Sequence, residues 1–243
     1  MPAGTLLTSD GQKIAYHYYK NHHNKVVIIA PGFYNSKDSA LFKSLAQALL
    51  DEYDVFVFDF RGHGASSGNF TWTAYEPNDL NAVIEYAKGR NYKNIGIIGF
   101  SLGAAVSIIV ASKRDDIKSM VLISCPASLW GIDYHFWEPE MLSDLKSNFE
   151  CNWHGKGARV NMPFYKKERP VDCIRQVKKT PLFFIHGSRD WVIKDRHSRM
   201  LYNDTVSCKK IELIKNGLHA ERLFEQYPKR INKLIHTWFA ETL

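Results

Sequence analysis

The chain of 243 residues has only 4 cysteines, and Cys125, Cys151, Cys173 and Cys208 stand far apart. No C-x-x-C pair and no zinc-type spacing occurs among them, so no metal site is expected. Thiols this sparse fit a reducing compartment, and a cytoplasmic location is expected. Long apolar runs are missing too. The longest, such as Val26 to Ala30, have the length of a strand, so no membrane span is expected. Met1 to Asp10 lacks a basic segment followed by an apolar one, the pattern of a secretory signal. Internal repeats, low-complexity tracts and linker-like stretches are also missing, which leaves one domain, residues 1–243, as the economical reading. Charge is unbalanced, with 32 Lys and Arg against 25 Asp and Glu, a formal net charge of +7. No run of five like charges and no nucleic-acid motif accompanies it, so a solvated basic surface is expected and no nucleic-acid partner. The excess concentrates between Lys146 and Lys179. The sequence carries no signal for an oligomeric state.

What the chain does have is a 45 % apolar content, enough for a sizeable core at this length. Short apolar, β-branched or aromatic runs recur at Lys25–Ala30, Asp54–Phe58, Asn94–Ile98, Ile117–Ser124 and Pro181–His186. Each suits a strand buried on both faces of a parallel sheet. Gln12–Tyr19 predicts an early strand and Cys208–Ile214 a last one. Helical spacing lies between them: Leu41, Leu45 and Leu49; Leu80, Val83, Ile84 and Ala87, closed by Gly89; the small-residue stretch Leu102–Lys113; and one final helix marked by Leu223, Tyr227, Ile231, Leu234, Ile235 and Trp238. This alternation predicts an α/β fold, a mostly parallel central sheet of about eight strands flanked by helices.

One stretch breaks the pattern. Residues 127–180 contain no clean strand but many aromatics: Trp130, Tyr134, Phe136, Trp137, Phe149, Trp153, Phe164 and Tyr165. A segment this long between two core strands is functional or a mobile excursion, and aromatics need a surface to bury against. The expectation is a lid inserted after the sixth strand, over the carboxyl edge of the sheet; the bland alternative is a packing excursion.

Gly99-Phe100-Ser101-Leu102-Gly103 matches G-x-S-x-G. The pentapeptide alone is a modest signal, but it follows the strand Ile95-Gly96-Ile97-Ile98 and precedes the helix-forming Ala104-Ala105-Val106-Ser107-Ile108-Ile109. Strand, sharp turn and helix are what a nucleophile elbow requires. A serine hydroxyl needs a base, and with this elbow the chain order is nucleophile, acid, histidine. Phe184-Ile185-His186-Gly187-Ser188-Arg189-Asp190 is a strand end and turn that supplies Asp190. Ile214-Lys215-Asn216-Gly217-Leu218-His219 follows the last strand and supplies His219. All three groups then fall at the carboxyl ends of strands, where open α/β sheets bind ligands. His186 is expected to pack or hydrogen-bond locally and His63 to be structural within the Arg61-Gly62-His63-Gly64 turn. Asp195 is the runner-up acid, while Asp79 and Asp133 come from the wrong parts of the chain. An oxyanion hole needs two N–H donors, expected from the backbones of Leu102 and Phe33, the latter in Ala30-Pro31-Gly32-Phe33-Tyr34-Asn35-Ser36. Phe33, Tyr34, Trp130 and Trp137 are the candidate substrate-binding residues.

With these residues in view, the chain resembles the bacterial α/β-hydrolases of the feruloyl- or cinnamoyl-esterase-like and serine-aminopeptidase-like group. The likeness rests on Pro31-Gly32-Phe33, Asp59-Phe60-Arg61-Gly62-His63-Gly64-Ala65-Ser66-Ser67-Gly68, Gly99 to Gly103, His186 to Asp190, and Gly217-Leu218-His219-Ala220-Glu221, which span nearly the whole chain in the family's order. It implies the α/β-hydrolase fold, a triad of Ser101, Asp190 and His219, and a lid between the sixth and seventh strands. Two departures stand out. Pro31-Gly32 replaces the family's usual His-Gly, and an aromatic and basic segment stands where many members carry a helical cap. The expected activity is hydrolysis of a small-molecule carboxylic ester of small or medium acyl size, through an acyl-enzyme and without a cofactor. A peptidase, a thioesterase or a carbon–carbon bond hydrolase can use the same triad. A ligand-binding protein that keeps the fold with little turnover is the alternative of another class.

Overall fold

Along β3 (Lys25–Ala30) successive side chains enter opposite cores. Val26 and Ile28 pack with one buried cluster, Val27 and Ile29 with the other. This is the period-two alternation of a strand covered on both faces. The computed structural model describes residues 3–129 and 157–243. Its strands are β1 (Ala3–Leu7), β2 (Lys13–Tyr19), β3, β4 (Asp54–Phe58), β5 (Asn94–Phe100), β6 (Ile117–Ile123), β7 (Leu182–Gly187) and β8 (Lys209–Ile214). They form one 8-stranded sheet in the order β1-β2-β4-β3-β5-β6-β7-β8. The pairs β1–β2 and β2–β4 are antiparallel and the rest parallel.

The helices are α1 (Ala40–Leu49), α2 (Glu76–Gly89), α3 (Leu102–Ala111), α4 (Pro170–Cys173), α5 (Arg196–Asp204), α6 (Ala220–Gln226) and α7 (Pro228–Thr242). One face of the sheet carries Leu80 and Val83 of α2, Val106 and Ile109 of α3, Cys173 of α4 and Leu201 of α5. The other carries Phe42 and Leu45 of α1, Leu223 of α6, and Ile231, Ile235 and Trp238 of α7. This is the mostly parallel, helix-flanked sheet expected from the sequence.

The structure departs from the sequence reading in three places. β1 was not expected, because it lies at the sheet edge with alternate residues exposed and lacks an apolar run. β5 continues to Phe100, directly against the elbow. The single final helix is two helices, α6 and α7, broken at Tyr227. Pro228 opens the second, where its missing N–H costs nothing, whereas inside a continuous helix it would break a hydrogen bond. Of the 127–180 segment, residues 127–129 and 157–180 are described, and the expected lid's middle, 130–156, lies outside the described residues. Arg159 exchanges backbone hydrogen bonds with the loop after β4, its N–H to Gly62 O at 2.8 Å and its O from Phe70 N–H at 2.7 Å. Pro170, Cys173, Ile174 and Val177 are buried. Among the described residues no helix is long and apolar enough to cross a membrane, and no cluster of His, Cys, Asp and Glu has metal-holding geometry.

Candidate active site

β5 delivers the chain to Ser101, and α3 begins at the next residue. Ser101 has φ 47° and ψ −107°, a strained backbone for a residue with a side chain. The two flanking glycines make the turn possible. A Cβ on Gly99 would lie 2.5 Å from Ala104 Cα, and one on Gly103 would lie 2.1 Å from Ala30 O. The G-x-S-x-G spacing is therefore a packing requirement, with α3 pressed against both its own strand and the end of β3. Ser101 N–H is held by Ile123 O at 2.8 Å, and Ala105 N–H donates to Ser101 O at 3.1 Å. The first N–H groups of α3, Leu102 among them, precede any intrahelical partner and sit at the positive end of the helix dipole.

His219 lies in the loop between β8 and α6. Its Nε2 is 3.0 Å from Ser101 Oγ and its Nδ1 is 2.7 Å from Asp190 Oδ2. A carboxylate only accepts, so Nδ1–H donates to Asp190 and Nε2 is left to accept from the serine hydroxyl. Asp190 is 1 % exposed. Its Oδ1 accepts from Val192 N–H at 3.0 Å and Ile193 N–H at 2.8 Å. Its Oδ2 also faces His186 Nε2 at 3.2 Å. Burial works against ionisation of Asp190, but the charge of His219 and hydrogen bonds from both imidazoles outweigh it and hold the carboxyl well below its ordinary range.

His186 hydrogen-bonds locally, as expected, and also stands behind Asp190. It is fully buried, its Nε2–H donates to Ile193 O at 2.7 Å, and its Nδ1 accepts from Ser198 Oγ at 2.7 Å. It stands behind Asp190 and does not face Ser101. Its position four residues before Asp190, at the same strand end, was the available signal. His63 is buried, donating from Nδ1 to Arg61 O at 3.0 Å. Asp195 sits at the start of α5 and pairs with Arg199 at 3.0 Å, and Asp79 pairs with Arg61 at 2.7 Å. Asp133 lies outside the described residues.

Gly103 touches the carbonyls of Ala30 and Pro31, which brings the start of α3 against the loop that carries Phe33. That loop is pinned from below by Asp59, whose carboxylate accepts from Lys37 N–H at 2.6 Å and from Ala65 N–H at 2.9 Å. The Phe33 ring is 41 % exposed. It stands 4.9 Å from Phe70, 5.6 Å from His63, 6.1 Å from Tyr34 and 6.4 Å from Trp72, centroid to centroid. Phe70 and Trp72 were not singled out in the sequence, because their loop meets the site only through folding. Trp72 Nε1–H donates to Asn161 O at 2.9 Å, and Lys167 Nζ lies 5.9 Å from its ring centre. Trp130 and Trp137 lie outside the described residues.

An eight-stranded, mostly parallel sheet with a serine at a strand–helix elbow defines the class of α/β-hydrolase-type enzymes. Residues 25–152 match the family described as alpha/beta hydrolase fold, and the chain belongs to that family. It is similar to the uncharacterized protein YfhR of Escherichia coli K12, 25 % identical over 179 residues that make up 72 % of this chain and 56 % of YfhR. The matched stretch thus spans little more than half the length of that relative. The serine hydrolase BPHL of Homo sapiens is 22 % identical over 258 residues, covering 95 % of this chain and 86 % of BPHL. Among solved structures, the Pyrococcus furiosus esterase Pf2001 superposes with a TM-score of 0.80 at 25 % identity, over 99 % of this chain and 91 % of the esterase.

Proposed function

We infer that the protein is a serine hydrolase that cleaves a carboxylic ester of a small or medium acyl substrate through an acyl-enzyme. The observation that carries this reading is the hydrogen-bonded chain from Ser101 Oγ to His219 to the buried Asp190. His219 Nε2 takes the hydroxyl proton as Ser101 Oγ attacks the ester carbonyl, and Asp190 stabilises the resulting imidazolium. The tetrahedral oxyanion is held by the N–H groups of Leu102 and Phe33. Collapse breaks the bond to the alkoxide, which leaves with the proton from His219. Water then attacks the acyl-enzyme with His219 again as base, releasing the acid and restoring Ser101. The half-exposed Phe33, with Tyr34, is the near wall of the acyl site, and Phe70 and Trp72 back it, with Asn161 and Lys167 of the described part of the 127–180 segment against Trp72. The free, buried thiols of Cys125 and Cys173 suit a cytoplasmic setting.

The test is Ser101→Ala on p-nitrophenyl esters of increasing acyl length, with fluorophosphonate labelling of the wild type. Loss of turnover and of the label in the variant is expected. Undiminished turnover, or a label on another residue, overturns the assignment. Faster turnover of a peptide, thioester or β-diketone than of any ester in the same panel moves the reading to that bond.

A further inference from the structure

The base is followed at once by two residues that hold other parts of the site. Ala220 has φ 36°, and its N–H donates at 2.9 Å to Oγ of Ser124, a fully buried residue just past the end of β6. Glu221 lies in the first turn of α6, and its Oε1 accepts the backbone N–H of Gly32 at 3.0 Å, across 189 positions of sequence. The approach is close enough that a Cβ on Gly32 would stand 2.5 Å from that oxygen. Gly32 O in turn accepts Asn35 N–H at 3.3 Å.

The second bond decides a direction. Gly32 C=O and Phe33 N–H belong to one planar trans peptide, so they point to opposite sides. With Gly32 N–H tied to Glu221 and Gly32 O turned toward Asn35, the Phe33 N–H is aimed away from Asn35. We propose that Glu221 is a positioning residue that aims the Phe33 oxyanion donor from the same helix start that carries the base. This rests on the serine-hydrolase reading above. The segment 219–221 then works as one clamp, with the base at its first residue, an anchor to β6 at its second and a tether to the oxyanion loop at its third. A hydrogen bond to an ionised acceptor is the stronger kind, which suits a tether that must hold a loop backbone in one orientation.

The experiment compares Glu221→Ala, Glu221→Gln, Gly32→Ala and the Glu221→Ala/Gly32→Ala pair on a p-nitrophenyl ester. It reads kcat and KM separately, the affinity of a trifluoromethyl ketone that forms a tetrahedral adduct, and Tm. Complete loss of one donor lowers rate by roughly 10²–10³, and a donor left in place but poorly aimed loses part of that. Glu221→Ala is expected to lower kcat by about 10-fold or more, to weaken the ketone in parallel and to leave KM nearly unchanged. Glu221→Gln, which keeps an acceptor oxygen, recovers the larger part of the loss. The double variant is no worse than the poorer single, as expected of two changes that break one contact. Wild-type kcat in Glu221→Ala with Ser101 still labelled by fluorophosphonate overturns the role of Glu221 alone, as do additive losses in the pair. Failure of the wild type to label at Ser101 overturns the hydrolase reading and this inference with it.

Discussion

Asp190 concentrates the chemistry at the level of single side chains, because three N–H groups donate to one buried carboxylate and His186 Nε2 stands 3.2 Å from it. Asp190→Asn places an NH2 or a neutral oxygen where His219 Nδ1–H now donates, and the imidazole tautomer that leaves Nε2 free is no longer favoured. We expect kcat to fall by about 10³–10⁴, measured on the best ester of the panel. Removing the support behind it acts differently. His186→Leu leaves Ile193 O and Ser198 Oγ without their partner in a buried site, where an unsatisfied polar group costs about 1–3 kcal/mol. Urea unfolding is expected to show that loss, and an unchanged midpoint would contradict it. The contrast explains what was legible. Ser101, Asp190 and His219 were readable because a local motif and a fixed chain order announce them. His186 announces only its place at a strand end near Asp190, and Ser124 and Glu221 announce nothing, since their partners are chosen by which strand ends and loops lie side by side in space.

At the level of the element, the elbow is a steric object. Gly103 has a carbonyl of β3 where a side chain would be, and Gly99 has the backbone of α3. Gly103→Ala must displace α3 or β3, so overpacking is expected to cost roughly 1–3 kcal/mol or more. A lowered Tm should be accompanied by loss of fluorophosphonate labelling, since Ser101 rides on the same turn. A variant with wild-type Tm and labelling rate would show that α3 has room the distances deny. The buried strands and α1 to α3 were legible because their apolar spacing is regular. The edge strand β1 was not, since half-exposed residues at an edge need no apolar pattern. The break between α6 and α7 was signalled by Pro228, but the apolar spacing runs through it and masks it.

At the level of the whole molecule, the buried Arg61 ties the turn after β1 to α2. It pairs with Asp10 at 2.7 Å and with Asp79 at 2.7 Å. The hydrogen bonds from Arg61 outweigh the effect of burial and hold the Asp10 carboxyl down at about 2, from 3.8. A carboxyl lowered on folding adds stability that is complete above its unfolded value and is lost as pH falls toward the folded one. Stability is therefore expected to drop between about pH 4 and pH 2. Asp10→Asn is expected to flatten that part of the curve, read from urea midpoints at each pH. The same slope in both proteins would assign the acid sensitivity elsewhere, with Asp116 and Asp190, both also held low, the next groups to replace.

The contact between Ser101 and His219 joins positions 118 apart in sequence, and this separation has a meaning in time. A ribosome has finished the nucleophile, its strand and its helix long before it reaches the base. At about 5–20 residues per second, a growing chain carries its serine unarmed for several seconds or more. On the serine-hydrolase reading proposed above, the protein becomes reactive only after β7 has paired with β6 and β8 with β7, so a fragment that stops short of residue 219 carries the serine without the means to use it.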